Sequence, residues 1–303
     1  MKLKKKPSRQ RVLNTVHGYV FLSPLIIGLL IFTFYPIIMS LSYSFHEYNI
    51  LKPNAYAFVG FANYIKAFNG DSEMGKVVLN TVIYAIITIP LNMILSYFVA
   101  LLVNKNTKWA KVLRVLYYLP VVIPGVVSGV IWKAMLNPTN GIINRIFTSL
   151  GLGANTWLSE ASTSMFSVIF MGLFGVGGSM ILWISAFKNI PDSVYEAADI
   201  DGAGVLTKVF RITIPLSTSM IFYNLIMGII GALQINSTLV FAPRQGRGYG
   251  DAIYFIGVKI YREAFVRWNL GYASAIAWLL FIAIAALTGL TFLTNKWVYY
   301  GDE

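Results

Sequence analysis

The stretch YEAADIDGAG, residues 195–204, holds Glu196, Asp199 and Asp201, three of only twelve acidic residues in a chain of 303. Carboxylates gathered in this way can move a proton, hold a cation or pair with a basic partner. The first two uses need histidine, cysteine or further acids at defined spacing. The chain has two histidines, His17 and His46, and no cysteine. No metal-ligand spacing occurs, so no catalytic group and no metal site are expected. One further stretch, GDSEMGKV at 70–77, fits the phosphate-loop spacing G-x-x-x-x-G-K. It fails as a nucleotide site, because Val77 stands where a magnesium-holding hydroxyl belongs and no strand precedes it. No cofactor is expected in this chain; any ATP and magnesium belong to a partner.

The acids around 196 sit on a short helix by pattern. Pro191 and Asp192 suit its start, and Gly202 and Gly204 suit its end. Asp192, Glu196 and Asp199 then form one stripe at i, i+4 and i+7, with Val194, Ala197, Ala198 and Asp201 on another side. Like charges at that spacing are mildly destabilising in isolation. Two readings follow: a solvated face, or a helix that docks into a partner's groove and pairs its carboxylates there.

What positions this loop is a membrane. Hydrophobic residues make up 57% of the chain and charged ones 12%, about half the charge of an ordinary soluble domain. Six intervals, 12–46, 77–104, 115–132, 161–187, 212–243 and 268–295, contain no Asp, Glu, Lys or Arg. Each is long enough to hold a membrane-spanning helix. The expected fold is an all-α integral membrane protein with six transmembrane helices, at about 19–45, 79–103, 113–136, 164–187, 212–238 and 270–295. Residues 1–18 are a basic tail, 19–299 one transmembrane domain and 188–211 the acidic loop. The net charge of +12 does not indicate nucleic acid, because the basic residues follow the membrane. Lys2, Lys4, Lys5, Lys6, Arg9, Arg11, Lys105, Lys108, Lys111, Arg114, Lys188, Lys208, Arg211 and Lys296 fall on one side, fourteen against ten. Basic loops mark the cytoplasmic side, which puts both termini and the acidic loop there.

EAADIDGAG followed by ITIPL (212–216) resembles the EAA signature of permease subunits of binding-protein-dependent ABC importers. The stretches 33–45, 59–68, 116–144 and 270–278 are similar to the sugar-permease branch related to the maltose system's larger subunit. The resemblance implies the type I importer (MetI-like) permease fold and no enzymatic activity of the chain's own. It implies ATPase coupling through the 188–211 loop, with Glu196, Ala197, Ala198, Gly202 and Pro215 matching the motif and Asp199 lying within it. It also implies four partners: a second related permease, an ATPase dimer, an extracytoplasmic solute-binding protein and membrane lipid. The implied location is a bacterial or archaeal cytoplasmic membrane. The related importers of amino acids, peptides or phosphate are the alternative.

A path for substrate needs polar or small residues near the bilayer midplane, often where helices break. MGLFGVGGSM (171–180) and MGIIGALQINST (227–238) supply them. The resemblance matches its sugar contacts to Met171, Phe174, Gly175 and Gly178, and to Gly228, Gly231, Ala232, Gln234 and Ile235. Polarity and neighbourhood add Ser179 and Asn236. Glycines at these spacings also serve helix packing, the reading kept for Gly125 and Gly129. Finally, 242–268 carries Arg244, Arg247, Lys259, Arg262 and Arg267 against Asp251 and Glu263. These charges suit either docking of the binding protein or attraction of an acidic oligosaccharide.

Overall fold

The computed structural model describes residues 9–52 and 56–299. The first basic residues, Lys2 to Lys6, therefore lie outside the described residues. Helix α1 (Arg9–Leu29) passes through a π turn (Leu30–Phe34) into α2 (Tyr35–Ser44). A two-stranded ladder of β1 (His46–Glu47) and β2 (Ala57–Phe58), then α3 (Ala62–Ile65), lead to the 30-residue α4 (Met74–Val103). Next come α5 (Lys108–Val122), α6 (Gly125–Met135), α7 (Ile142–Ser149), α8 (Ala161–Gly172) and α9 (Gly177–Lys188). The acidic loop holds α10 (Asp192–Ile200) and α11 (Val205–Lys208). After α12 (Ile214–Leu216) follow α13 (Thr218–Leu233), α14 (Thr238–Phe241), α15 (Ile256–Phe265) and α16 (Leu270–Leu293).

Four of these helices, or up to six with each bent pair taken as one span, are long and apolar enough to cross a bilayer. The six expected spans are present once each bent pair is taken as one. α5 and α6 meet at 103°, because Pro124 denies Ile123 the helical region and Ile123 is extended (φ −73, ψ 125). α8 and α9 bend by 43° through a tighter turn at Leu173–Gly175. α13 stops at Leu233, so Gln234 to Ser237 leave the helix expected to reach 238. The segment read as a tail is helical from Arg9. Prolines also shape the π turns. Tyr35 N bonds Leu30 O just before Pro36, and Ile214 N bonds Val209 O just before Pro215. One extra residue per turn moves the carbonyl that each proline ring would otherwise strike.

α4 is the central post, with α9 and α13 packed along it and α16 resting on α13, α15 and α2. At the acidic-loop end, Tyr97, Ala100 and Val103 of α4 interlock with Met180, Trp183 and Phe187 of α9. At the other end Ile253, Tyr254, Phe255 and Val258 are buried against Val77 and Tyr84. His46 is structural, its Nδ1 2.7 Å from Ser42 O and its ring stacked 4.4 Å from Tyr56.

That second end is pinned by charge. Lys259 is fully buried, with its Nζ 2.7 Å from Asp71, 3.0 Å from Glu73 and 3.6 Å from Glu263. Arg247 reaches Glu73 at 2.9 Å and Asp251 at 2.5 Å. Arg267 pairs with Glu263, and the Tyr272 hydroxyl donates to Asp71 at 2.6 Å. Asp71 and Glu73 come from GDSEMGKV, whose Lys76 bonds the Gly250 carbonyl at 2.6 Å. The excess of positive charge counted on 242–268 is thereby reduced, since two carboxylates and Lys76 from the segment leading into α4 are folded into it. Arg244 remains more than half exposed, 3.9 Å from Asp251.

Burial alone would raise the Asp71 and Glu73 pKa values. Hydrogen bonds and charge from Lys259 outweigh it and hold both carboxyls below their ordinary range. Stability from such groups is present above the ordinary carboxylate pKa of about 4 and is lost as pH falls below it toward the depressed folded value. Thermal melts in detergent should therefore weaken below about pH 4.5. Lys259→Met strands buried carboxylates and should cost about 3–5 kcal/mol near pH 7. That deficit should narrow on acidification, as the stranded acids take up protons. A deficit independent of pH would refute the pairing.

Glycines at the α5–α9 contact give a second expectation. A Cβ on Gly177 would run into the Tyr117 carbonyl, whereas one on Gly178 meets nothing within 4 Å. Gly177→Ala should cost about 1–3 kcal/mol by overpacking, and Gly178→Ala should melt as wild type does. Equal melting of both variants would contradict this packing.

Candidate translocation path and coupling loop

The path residues expected from sequence do not gather in one place. α4, the bent α8–α9 pair and α13 enclose a cavity of about 290 Å³. Gly175, Ser179, Gly228, Gly231 and Ala232 line it, as expected, together with Gly172. The bend at Leu173–Gly175 and the missing side chains hold the space open: a Cβ on Gly175 or Gly231 would meet nothing within 4 Å. Gly228 differs, since its Cβ would stand 3.2 Å from Ile89. It serves close packing of α13 on α4 as well.

Four polar lining residues were missed: Tyr84, Thr88 and Asn92 on α4, and Asn224 on α13. Asn92 and Asn224 were legible, because an amide inside a charge-free interval demands a partner just as Gln234 does. Asn224 is 7% exposed and donates to Met220 O at 2.9 Å. Thr88 is 5% exposed and its hydroxyl has no protein partner among the described residues. The cavity thus offers hydroxyls and amides and no charged group. Such a lining can bond the hydroxyls of an uncharged solute from several sides.

Gln234 and Asn236 turn elsewhere. They line a second cavity of about 500 Å³ with Gly257, Ile260, Leu280, Phe281 and Ile284. The end of α13 at Leu233 sends them toward α15 and α16. Met171 and Ile235, also expected on the path, are buried in the core. Phe174 is exposed and packs on Trp132 with ring centroids 4.9 Å apart. Gly178 is half-buried and faces open space.

The acidic helix α10 is closed at its end by hydrogen bonds that fit its sequence. Ala203 N bonds Ala198 O at 2.9 Å, and Gly202 N bonds Asp199 O at 3.1 Å. Gly202 takes φ +72, the left-handed conformation this closure requires. Glu196 and Ala197 are exposed, while Ala198 is buried against the chain itself. Asp199 is paired with Lys208 within the loop, and Tyr195 bonds Thr213 at 3.0 Å. The expected stripe of three free acids is therefore reduced to Asp192 and Glu196. Beside them Ile200, Val205 and Leu206 are bare, at 88%, 77% and 73% exposure. Pro215 is exposed at the π turn that links the loop to α13. Among the described residues, no three His, Asp or Glu side chains gather to hold a metal.

The chain resembles known proteins along almost its whole length. It is 31% identical to the probable ABC transporter permease protein YesP of Bacillus subtilis (strain 168), covering 98% of this chain and 96% of that one. It is 29% identical to the diacetylchitobiose uptake system permease protein NgcF of Streptomyces coelicolor, over 95% of this chain and 85% of that one. It is also 29% identical to the trehalose/maltose transport system permease protein MalF of Thermococcus litoralis, over 89% and 90%. In fold it matches a chain of the crystal structure of a bacterial alginate ABC transporter in complex with alginate pentasaccharide-bound periplasmic protein. There the TM-score is 0.82 at 20% identity, covering 95% and 96% of the two chains. Residues 92–300 match the family model of the binding-protein-dependent transport system inner membrane component. This multi-pass chain, with the permease fold, belongs to that family.

Proposed function

We propose that this chain is one of two permease subunits of an ATP-driven importer of neutral oligosaccharides and forms half of the translocation path. The observation that carries the reading is the cavity between α4, α8–α9 and α13, lined by Tyr84, Thr88, Asn92, Ser179 and Asn224 without a charge. An amino acid, a peptide terminus or a phosphate would need a counter-charge in such a place; a sugar needs only hydrogen bonds. The names of the relatives from Streptomyces and Thermococcus, which concern saccharides, support the same class. The capture of Asp71 and Glu73 by the basic outer segment weakens the acidic-sugar alternative, whose remaining support is Arg244 and Arg262, neither held in a close carboxylate pair.

In this reading a separate ATPase dimer holds ATP and magnesium and grips α10. The bare Ile200, Val205 and Leu206 supply apolar contact, and Glu196 supplies charge. The acidic loop and both termini then face the cytoplasm, and the Lys259 cluster faces outward, where a solute-binding protein delivers substrate. A second, related permease supplies the other half of the path.

Two measurements test this. In the complex purified with its native partners and placed in vesicles, Glu196→Lys or Gly202→Val should lower uptake per ATP hydrolysed about tenfold. Wild-type coupling in both variants would remove α10 from the docking surface. Uptake of neutral oligosaccharides should exceed that of amino acids and phosphate esters. Asn92→Leu and Asn224→Leu should each reduce it about twofold to tenfold. Undiminished uptake in both would place the path elsewhere.

A further inference from the structure

The loop that carries α10 is joined to two walls of the first cavity, but not equally by its chain. α10 follows α9 after only Asn189, Ile190 and Pro191, and Ile190 is buried. A displacement of α10 therefore reaches α9 directly. α13 lies much farther along. Between Ile200 and Thr218 come the turn at Asp201 to Gly204, then α11, a π turn (Val209–Thr213) and α12. That first turn contains Gly202, at φ +72, and Gly204. A backbone path with two such freely rotating residues is a poor strut.

Two side-chain ties bridge this path. Lys208 pairs with Asp199, and the Tyr195 hydroxyl stands 3.0 Å from Thr213 Oγ1. Their surroundings differ. The Asp199 side chain is 64% exposed, and so open an ion pair is screened and contributes little. Thr213 is buried and Tyr195 half-buried. Thr213 Oγ1 also lies 3.3 Å from the Lys208 carbonyl, to which it can only donate. Its single proton is thereby used, so Tyr195 is the donor of the pair. The two hydroxyls close α10 onto the π turn. That turn bears on the frame of the cavity. Val209 at its start and Ile214 just beyond its end pack on the cluster of Tyr97, Trp183 and Phe187 that joins α4 to α9. Met220 and Ile221 of α13 pack on the same cluster. Met220 O accepts the amide of Asn224 at 2.9 Å, and Asn224 lines the cavity.

We propose that Tyr195 and Thr213 are positioning residues for coupling: their hydrogen bond carries a displacement of α10 into α13, so that two walls of the cavity move with the docked helix. The link rests on the reading of α10 as the ATPase-docking helix. It adds to that reading an internal contact that lies outside the docking surface. A π turn holds an extra residue within a helix and is often placed at functional sites. Tied to α10, this turn follows the loop. Untied, it leaves α10 to move with α9 alone. Breaking the link therefore costs transport while the ATPase still docks and hydrolyses ATP.

The test uses the complex with its native partners in vesicles and reads ATP hydrolysis, uptake and ATPase copurification for each variant. Tyr195→Phe removes one hydroxyl, and Thr213→Val removes its acceptor. Each should lower uptake per ATP hydrolysed about threefold to tenfold, with hydrolysis and copurification near wild type. Thr213→Ser keeps the hydroxyl and should retain coupling. The double variant Tyr195→Phe with Thr213→Val should be no worse than Thr213→Val, because both changes remove one interaction. Lys208→Gln breaks only the open ion pair and should couple within about twofold of wild type. If Thr213→Val assembles poorly, Tyr195→Phe set against Lys208→Gln still decides. Wild-type coupling in Tyr195→Phe, while Glu196→Lys uncouples, would overturn the link and leave the docking reading standing. Losses that multiply in the double variant, or that persist in Thr213→Ser, would also overturn it. Wild-type coupling in Glu196→Lys and Tyr195→Phe alike would remove docking at α10 and the link with it.

Discussion

A bilayer offers a polar group no water, so each polar group at membrane depth must find a partner in the protein or face a wet path. This chain meets that demand in two ways. Within the bundle the partners come mostly from other elements. The Trp183 indole donates to Ser96 at 2.9 Å, and Asn80 donates to the carbonyls of Asp251 and Tyr254 at 2.8 and 3.2 Å. Thr81 donates to Val77 O and accepts from Ile256 N at 3.0 Å. Elsewhere the amides of Asn92, Gln234 and Asn236 line open cavities. The glycine-rich bend of α8–α9 lies on the cavity side.

The same demand explains the two ends. At the end away from the acidic loop, a fully buried lysine is tolerated because three carboxylates surround it. One of them, Glu73, lies 186 positions away in sequence. This cluster ties the entry to α4 to α15 and the start of α16, fixing the wall of the second cavity. At the other end the acidic loop keeps apolar side chains bare beside Glu196. A free surface rarely gathers these without a partner to cover them. Rigidity between the two ends comes from α4, which touches both clusters.

Much of this was legible in the residue order. Charge-free intervals located the membrane helices, and Pro191 and Gly202 bracketed α10. Gly129 packs against Val240 and Phe241, as its GxxxG spacing suggests. The break at Pro124 was missed because hydropathy is blind to it: apolar residues continue on both sides. The direction of Gln234 and Asn236 was missed because it depends on α13 ending at Leu233, which no strong helix breaker marks. The charge of segment 242–268 was overestimated because a local count cannot see Asp71 and Glu73 folding in from before α4. Patterns within one element were readable, whereas pairings between distant elements were not.

The chain contains no cysteine, which permits a direct measurement of where water reaches it. Single cysteines at Gly175, Gly231 and Asn236 would be exposed, in the membrane-embedded complex, to a water-soluble, membrane-impermeant maleimide. Labelling of the first two, slowed by the transported saccharide, is the expected result for a cavity on the translocation path. Reaction of both only with a lipid-soluble reagent, unaffected by saccharide, would place that face against the bilayer and contradict the assignment.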